Sequence, residues 1–152
     1  MAGLLPVDEA LSRIVGAAVR TDAETVPLSE AGARVLAEDL YAKRQQPPFA
    51  ASAMDGYAVR AADIANVPVN LELIGQSAAG HAFQGSLGVG EAVRISTGAP
   101  VPAGADSVVI QENTIAHGSQ VEIKETITLG KNIRKAGLDF QEGDLLLKNG
   151  RT

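Results

Sequence analysis

The chain has 152 residues, with 45% hydrophobic against 20% charged side chains, which is the balance of a globular protein able to bury a core. Its net charge of −5 excludes a nucleic-acid binder held by counterion release, and its lack of cysteine excludes disulfides and thiolate metal sites while suiting a reducing cytoplasm. Aromatic residues make up only 3% and tryptophan is absent, so Val, Ile, Leu and Ala must fill the interior.

In chain order, Val7, Leu11, Ile14, Val15 and Ala18 recur at helical spacing, with Asp8 and Glu9 in the first turn where the helix dipole favours them. This predicts an amphipathic helix from Val7 to about Ala18. The segment carries no basic start and is broken by charges, unlike a signal peptide, and no stretch of the chain has the roughly 20 apolar residues of a membrane span. ETVPLSEAGARVLAEDL, from Glu24 to Leu40, predicts a short extended piece and then a second helix. Ser29 is its expected N-cap and Ala31, Val35, Leu36 and Leu40 its apolar face, with Gly32 weakening it.

Between Lys43 and Pro48 the pattern changes from helical to extended. YAVR, VNLELIG, EAVRIS, DSVVIQENTI and QVEIK then alternate with a period of two, separated by Gly, Pro, Asn and Ser. The turn around Ala116, His117, Gly118 and Ser119 predicts a hairpin. Short strands at such intervals suggest a small barrel or sandwich. From Gly130 the chain turns basic and loop-like before a strand-like DLLLK. It stops after an apolar strand and a turn, from which a longer natural chain is expected.

Three segments combine Gly and Pro with a few polar groups between apolar strands: SAMDGYAVR, STGAPVPAGAD and GKNIRKAGLD. Asp55-Gly56 reads as a turn that presents Asp55 to a cleft, or as a plain turn. Thr97 and Gly98 offer a hydroxyl and backbone amides to an anion, or belong to a connector stiffened by Pro100 and Pro102. Arg134, with Lys131 and Lys135, is the best anion clamp in the chain, or it pairs with Asp139 in a solvated turn. His81, His117 and Ser52 lack the partners that a metal site or a nucleophile requires.

Three long stretches, PPFAASAMDGYAVR (Pro47–Arg60), ISTGAPVPAGADSVVIQE (Ile95–Glu112) and GKNIRKAGLDFQEGD (Gly130–Asp144), in this order resemble the N-terminal region of the molybdopterin molybdenumtransferase family, of the MoeA and gephyrin E-domain type. The resemblance runs from the first helix to Gly150. It implies an α+β, mostly β fold, in which a small barrel-like domain (residues 47–130) is inserted into an elongated helix-and-strand linker domain (residues 1–46 plus 131–152). It further implies a cytoplasmic homodimeric enzyme that inserts molybdenum from molybdate into adenylylated molybdopterin, with magnesium assisting and AMP released, in the company of the molybdopterin adenylyltransferase.

Asp55, Thr97, Arg134 and Asp139 match positions that line the family's cleft, Asp55 being also the expected magnesium ligand. Gly56, Gly98 and Lys131 stand beside them as expected cofactor contacts. Ala50 and Ala51 occupy places where many members have a polar pair, so contacts made there are not expected here. The family's α/β domain would follow Thr152, so the 152 residues alone are expected to be inactive. The alternative reading is a dimerisation or partner-docking scaffold.

Overall fold

The computed structural model describes residues 4–152, and they fall into two compact units, residues 4–39 with 147–152 and residues 40–146. In the first unit the expected amphipathic helix is present as α1, Val7–Ala17, entered from Pro6, with Asp8 and Glu9 in its first turn. An i,i+4 pair ties Arg13 to Glu9 at 2.6 Å. The helix buries none of its side chains, and Val7, Leu11, Ile14 and Val15 stay exposed.

The second predicted helix is not formed. Only a 3-10 turn, Leu28–Glu30, follows Pro27, and Ala33 takes a φ of 62°, which a right-handed helix cannot contain. Glycine at position 32 weakens helical propensity where the next turn would have to nucleate. Instead the chain extends, and Leu36 exchanges backbone hydrogen bonds with Arg151 and Gly150 at 2.7 and 2.8 Å.

Two further 3-10 turns span Ala61–Ile64 and Gln111–Asn113, and the strands are β1 (Leu40–Tyr41), β2 (Ala51–Ser52), β3 (Gly56–Val59), β4 (Val69–Ser77), β5 (Glu91–Ile95), β6 (Ser107–Ile110), β7 (Thr114–His117), β8 (Gln120–Ile123), β9 (Ile133–Arg134) and β10 (Leu145–Leu147). Six of them form one sheet in the order β6-β3-β5-β4-β8-β7, antiparallel except for the parallel pair β4 and β5. The sheet is a curled half-barrel that does not close, since β6 and β7 are its edges. The expected hairpin is β7 and β8, joined by Gly118 and Ser119, with Ala116 opposite Val121. The two-residue β1 and β10 pair with each other, as do β2 and β9.

Alternation along β3 explains the two-sided core. Tyr57 and Val59 point into one cluster with Ile64, Leu71, Val109, Val121 and Ile123, while Ala58 points into another with Val93, Ile95, Ala99, Val108 and Leu87. All four residues of β3 are buried, so it reads as a continuous run of buried residues with no polar face. Ala99, Val101 and Ala105, from the connecting segment before β6, and Ile133 of β9 pack with the second cluster, which fastens those stretches to the sheet.

Candidate functional site

The three Gly-rich stretches meet at one seam, and the middle strand of that seam is the segment Ala50–Ala53. On one side the Val101 amide donates to the Ala50 carbonyl (2.9 Å), the Ser52 amide to Ala99 (3.0 Å) and the Gly98 amide to Ser52 (2.8 Å). On the other side β2 pairs with β9, Ala51 opposite Arg134 and Ser52 opposite Ile133, and the Ala53 amide donates to Asn132 (2.9 Å). Further along, the Gly137 amide donates to Pro47 and the Asp139 amide to Gln46, both at 2.9 Å. Backbone bonds on both flanks give a two-residue strand the constraint that length alone would not supply.

Ser52, 1% exposed, caps this seam: its hydroxyl donates to the Met54 carbonyl at 2.6 Å and accepts from the Met54 amide at 3.3 Å. That is the local turn geometry a serine hydroxyl stabilises, and it delivers the chain to Asp55. Gly56 follows in a place no other residue can occupy unchanged, because a Cβ there would lie 1.9 Å from the Val109 carbonyl oxygen.

Asp55 is exposed, and its Oδ1 accepts from the Thr97 amide at 2.7 Å and from the Thr97 hydroxyl at 3.2 Å. Its Oδ2 has no hydrogen-bond partner among the described residues. The Thr97 and Gly98 amides expected to face an anion are bonded within the protein instead, Thr97 to Asp55 and Gly98 to Ser52, and the neighbouring Ala99 amide donates to Ser96. Gly98, at a φ of 79°, supplies the backbone reversal of this stiff connector.

At the other flank Arg134 and Asp139 form a pair in which Nη2 donates to both carboxylate oxygens, at 2.6 and 2.8 Å. This leaves Nη1 and Nε of Arg134, both on an exposed side chain, without a partner among the described residues. Lys131 is exposed as well, and its carbonyl accepts the Val108 amide at 3.1 Å. Asn132 holds the approach, at a φ of 58°, with its amide group donating to the Val108 carbonyl at 2.8 Å. The Asp55–Thr97 and Arg134–Asp139 pairs are joined through Ala50–Ala53, and no hydrogen bond links one pair to the other among the described residues.

Asp55 is exposed to solvent. An apolar recess of about 260 Å³ is lined by Leu40, Tyr41, Lys43, Arg44, Phe140 and their neighbours, and none of the candidate residues lines it. Among the described residues no three His, Asp or Glu side chains gather around a common point. One carboxylate with a free oxygen suits a hard cation that keeps its waters and takes ligand phosphate oxygens, and does not suit a protein cage.

Ser52 and Asn132 support the seam, and Arg94 and Gln111 hold the Asp55–Gly56 turn that leaves it; the sequence marked none of the four as a site residue. Arg94 is the polar residue of EAVRIS and lies on the same face of β5 as the buried Ala92, opposite Tyr57, a placement that the sequence pattern does not reveal.

A family model described as MoeA N-terminal region (domain I and II) matches residues 5–152. A molybdopterin molybdenumtransferase of Bacillus subtilis is 41% identical over 154 residues, covering 96% of this chain and 36% of the relative. A molybdopterin molybdenumtransferase 2 of Mycobacterium tuberculosis is 43% identical over 131 residues, covering 84% of this chain and 32% of the relative. The crystal structure of a molybdopterin biosynthesis MoeA protein from Pyrococcus horikoshii superposes with a TM-score of 0.80 at 36% identity, over 96% of this chain and 38% of that one. The chain spans about a third of the length of the curated relatives it matches.

Proposed function

Since the chain belongs to the MoeA N-terminal region family, we propose that it forms one wall of the site at which molybdenum passes from molybdate to adenylylated molybdopterin, releasing AMP. The observation that carries this reading is the seam, which gathers all three recognisable stretches along Ala50–Ala53 and turns an anchored carboxylate, Asp55, outward.

In this reading Asp55 would hold magnesium through Oδ2 while Thr97 fixes its other oxygen. Magnesium, when bound, neutralises charge on the ligand phosphates. Arg134 keeps Asp139 on Nη2 and offers Nη1 and Nε to anionic oxygens, with Lys131 adding positive charge nearby in the chain. Gly56 and Gly98 serve by letting backbone lie where side chains would collide or strain. The opposing wall would come from sequence that this chain does not span, in a cytoplasmic homodimer that receives its adenylylated substrate from the molybdopterin adenylyltransferase. The six-stranded sheet lies wholly within residues 56–123 and β1 pairs with β10 outside it, which supports an insertion at residues 47–130 within 1–46 plus 131–152, with the β2–β9 pair running across its boundary.

The test is a chimera in which these residues replace the matching region of the Bacillus subtilis relative. Asp55→Asn should lower molybdenum insertion by roughly 10²-fold or more, the scale of losing one preorganised electrostatic group. Stability should fall by only about 1 kcal/mol, for one altered hydrogen bond. Matching losses in turnover and stability would make Asp55 a structural turn residue, and insertion by the isolated 152 residues would overturn the need for a second wall. The exposed apolar stripe of α1 favours a second reading, a self-association scaffold. That reading expects the chain to sediment as an oligomer and the chimera to ignore adenylylated molybdopterin.

A further inference from the structure

The Asp55–Gly56 turn is held from a direction that the proposed function does not use. Arg94 of β5 lies opposite Tyr57 in the ladder, with its guanidinium carbon 5.0 Å from the centre of the Tyr57 ring. From there Nη1 donates to the Gly56 carbonyl at 3.4 Å and Nη2 donates to Gln111 Oε1 at 2.6 Å. The Gln111 amide in turn donates to the Asp55 carbonyl at 3.1 Å. A closed ring therefore runs Arg94, Gly56, Asp55, Gln111 and back. Three residues beyond Arg94 the same chain supplies Thr97, whose amide and hydroxyl meet the Asp55 carboxylate.

We infer that Arg94 is a positioning residue, setting where the Asp55 carboxylate points by clamping both flanks of its turn through Gly56 and Gln111. The inference rests on the reading that Asp55 works at the site. Arg94 is half-buried, and none of the ion pairs among the described residues includes it. Its charge is met by a carbonyl, a carboxamide and an aromatic face, partners that orient a planar guanidinium. A lysine could keep the contact with Tyr57, but its single ammonium head lacks the fork that reaches two separate oxygens.

Hydrogen exchange at the Thr97 amide of the 152-residue chain tests this, because that amide reports the Asp55 contact directly. Arg94→Ala should raise Thr97 exchange by about 10-fold or more while the core amides of Val93 and Val108 exchange as before. Arg94→Lys should fall between the two. Gln111→Ala, an exposed change away from the Tyr57 ring, should also speed Thr97, by a smaller factor. Unchanged Thr97 exchange in Arg94→Ala, or equal acceleration at Val93 and Val108, would overturn the clamp. If Arg94→Ala fails to fold, Gln111→Ala decides: faster Thr97 exchange supports the clamp and unchanged exchange overturns it. Failure of the functional reading is separable, because Asp55→Asn would then leave insertion intact while the exchange effects of Arg94 persisted.

Discussion

Helix α1 and strand β3 are both apolar segments that alternate or repeat at the proper period, and they end in opposite environments. In α1, Val7 is 81% exposed and Ile14 71%, whereas Ala58 and Val59 of β3 are 0% exposed. The difference teaches that periodicity identifies the face that would gain from cover, while pairing decides whether cover exists. β3 has a hydrogen-bonded strand on each side and a packed cluster on each face; among the described residues α1 has only its own ladder and one exposed ion pair.

Substitutions in the two elements should therefore differ steeply. The largest effect is expected for Gly56→Ala, where the new methyl group meets the Val109 carbonyl and must force β3 away from β6. A loss of about 3 kcal/mol or more is expected in urea unfolding, since backbone cannot yield as a side chain tip can. Little or no loss would mean that the two strands separate freely. Ile64→Ala, beneath β3 and fully buried, should cost about 2–5 kcal/mol in the same measurement. Leu11→Ala in α1 should stay within about 0.5 kcal/mol, because its side chain leaves little water behind. A cost near that of Ile64→Ala would show that α1 is covered in solution, and a loss that grows with protein concentration would identify a second copy as the cover.

The same contrast explains what was legible in the sequence. The runs YAVR and EAVRIS and the hairpin at Gly118-Ser119 follow from local pattern and turn chemistry and reappear in β3, β5, β7 and β8, whereas the single run DSVVIQENTI is divided by a 3-10 turn at Gln111–Asn113 into β6 and β7, at opposite edges of the sheet. The second predicted helix failed because Ala33 takes a left-handed φ and Leu36, despite its helical spacing, pairs in extended form with Gly150 and Arg151, partners remote in sequence. β2 and β9 were invisible as strands for a related reason, since each is two residues long and exists through its neighbours. At the site, the residue types were readable and their commitments were not. Arg134 did prove to pair with Asp139, one of the two readings open for it. The Thr97 and Gly98 amides were spent on Asp55 and Ser52, and no spacing rule foretells which acceptor an amide will find.

The sheet order carries a kinetic consequence. Apart from the β7–β8 hairpin, its ladders join stretches far apart along the chain, as where Val59 meets Ser107 or Val69 meets Ile123. Such contacts must close long loops before any of them is rewarded, which slows folding relative to a chain of local hairpins. The β7–β8 ribbon can zip within microseconds, on the order of 1–10 μs for a hairpin. In the folded sheet its β8 edge is covered by β4, which comes from a distant stretch of the chain.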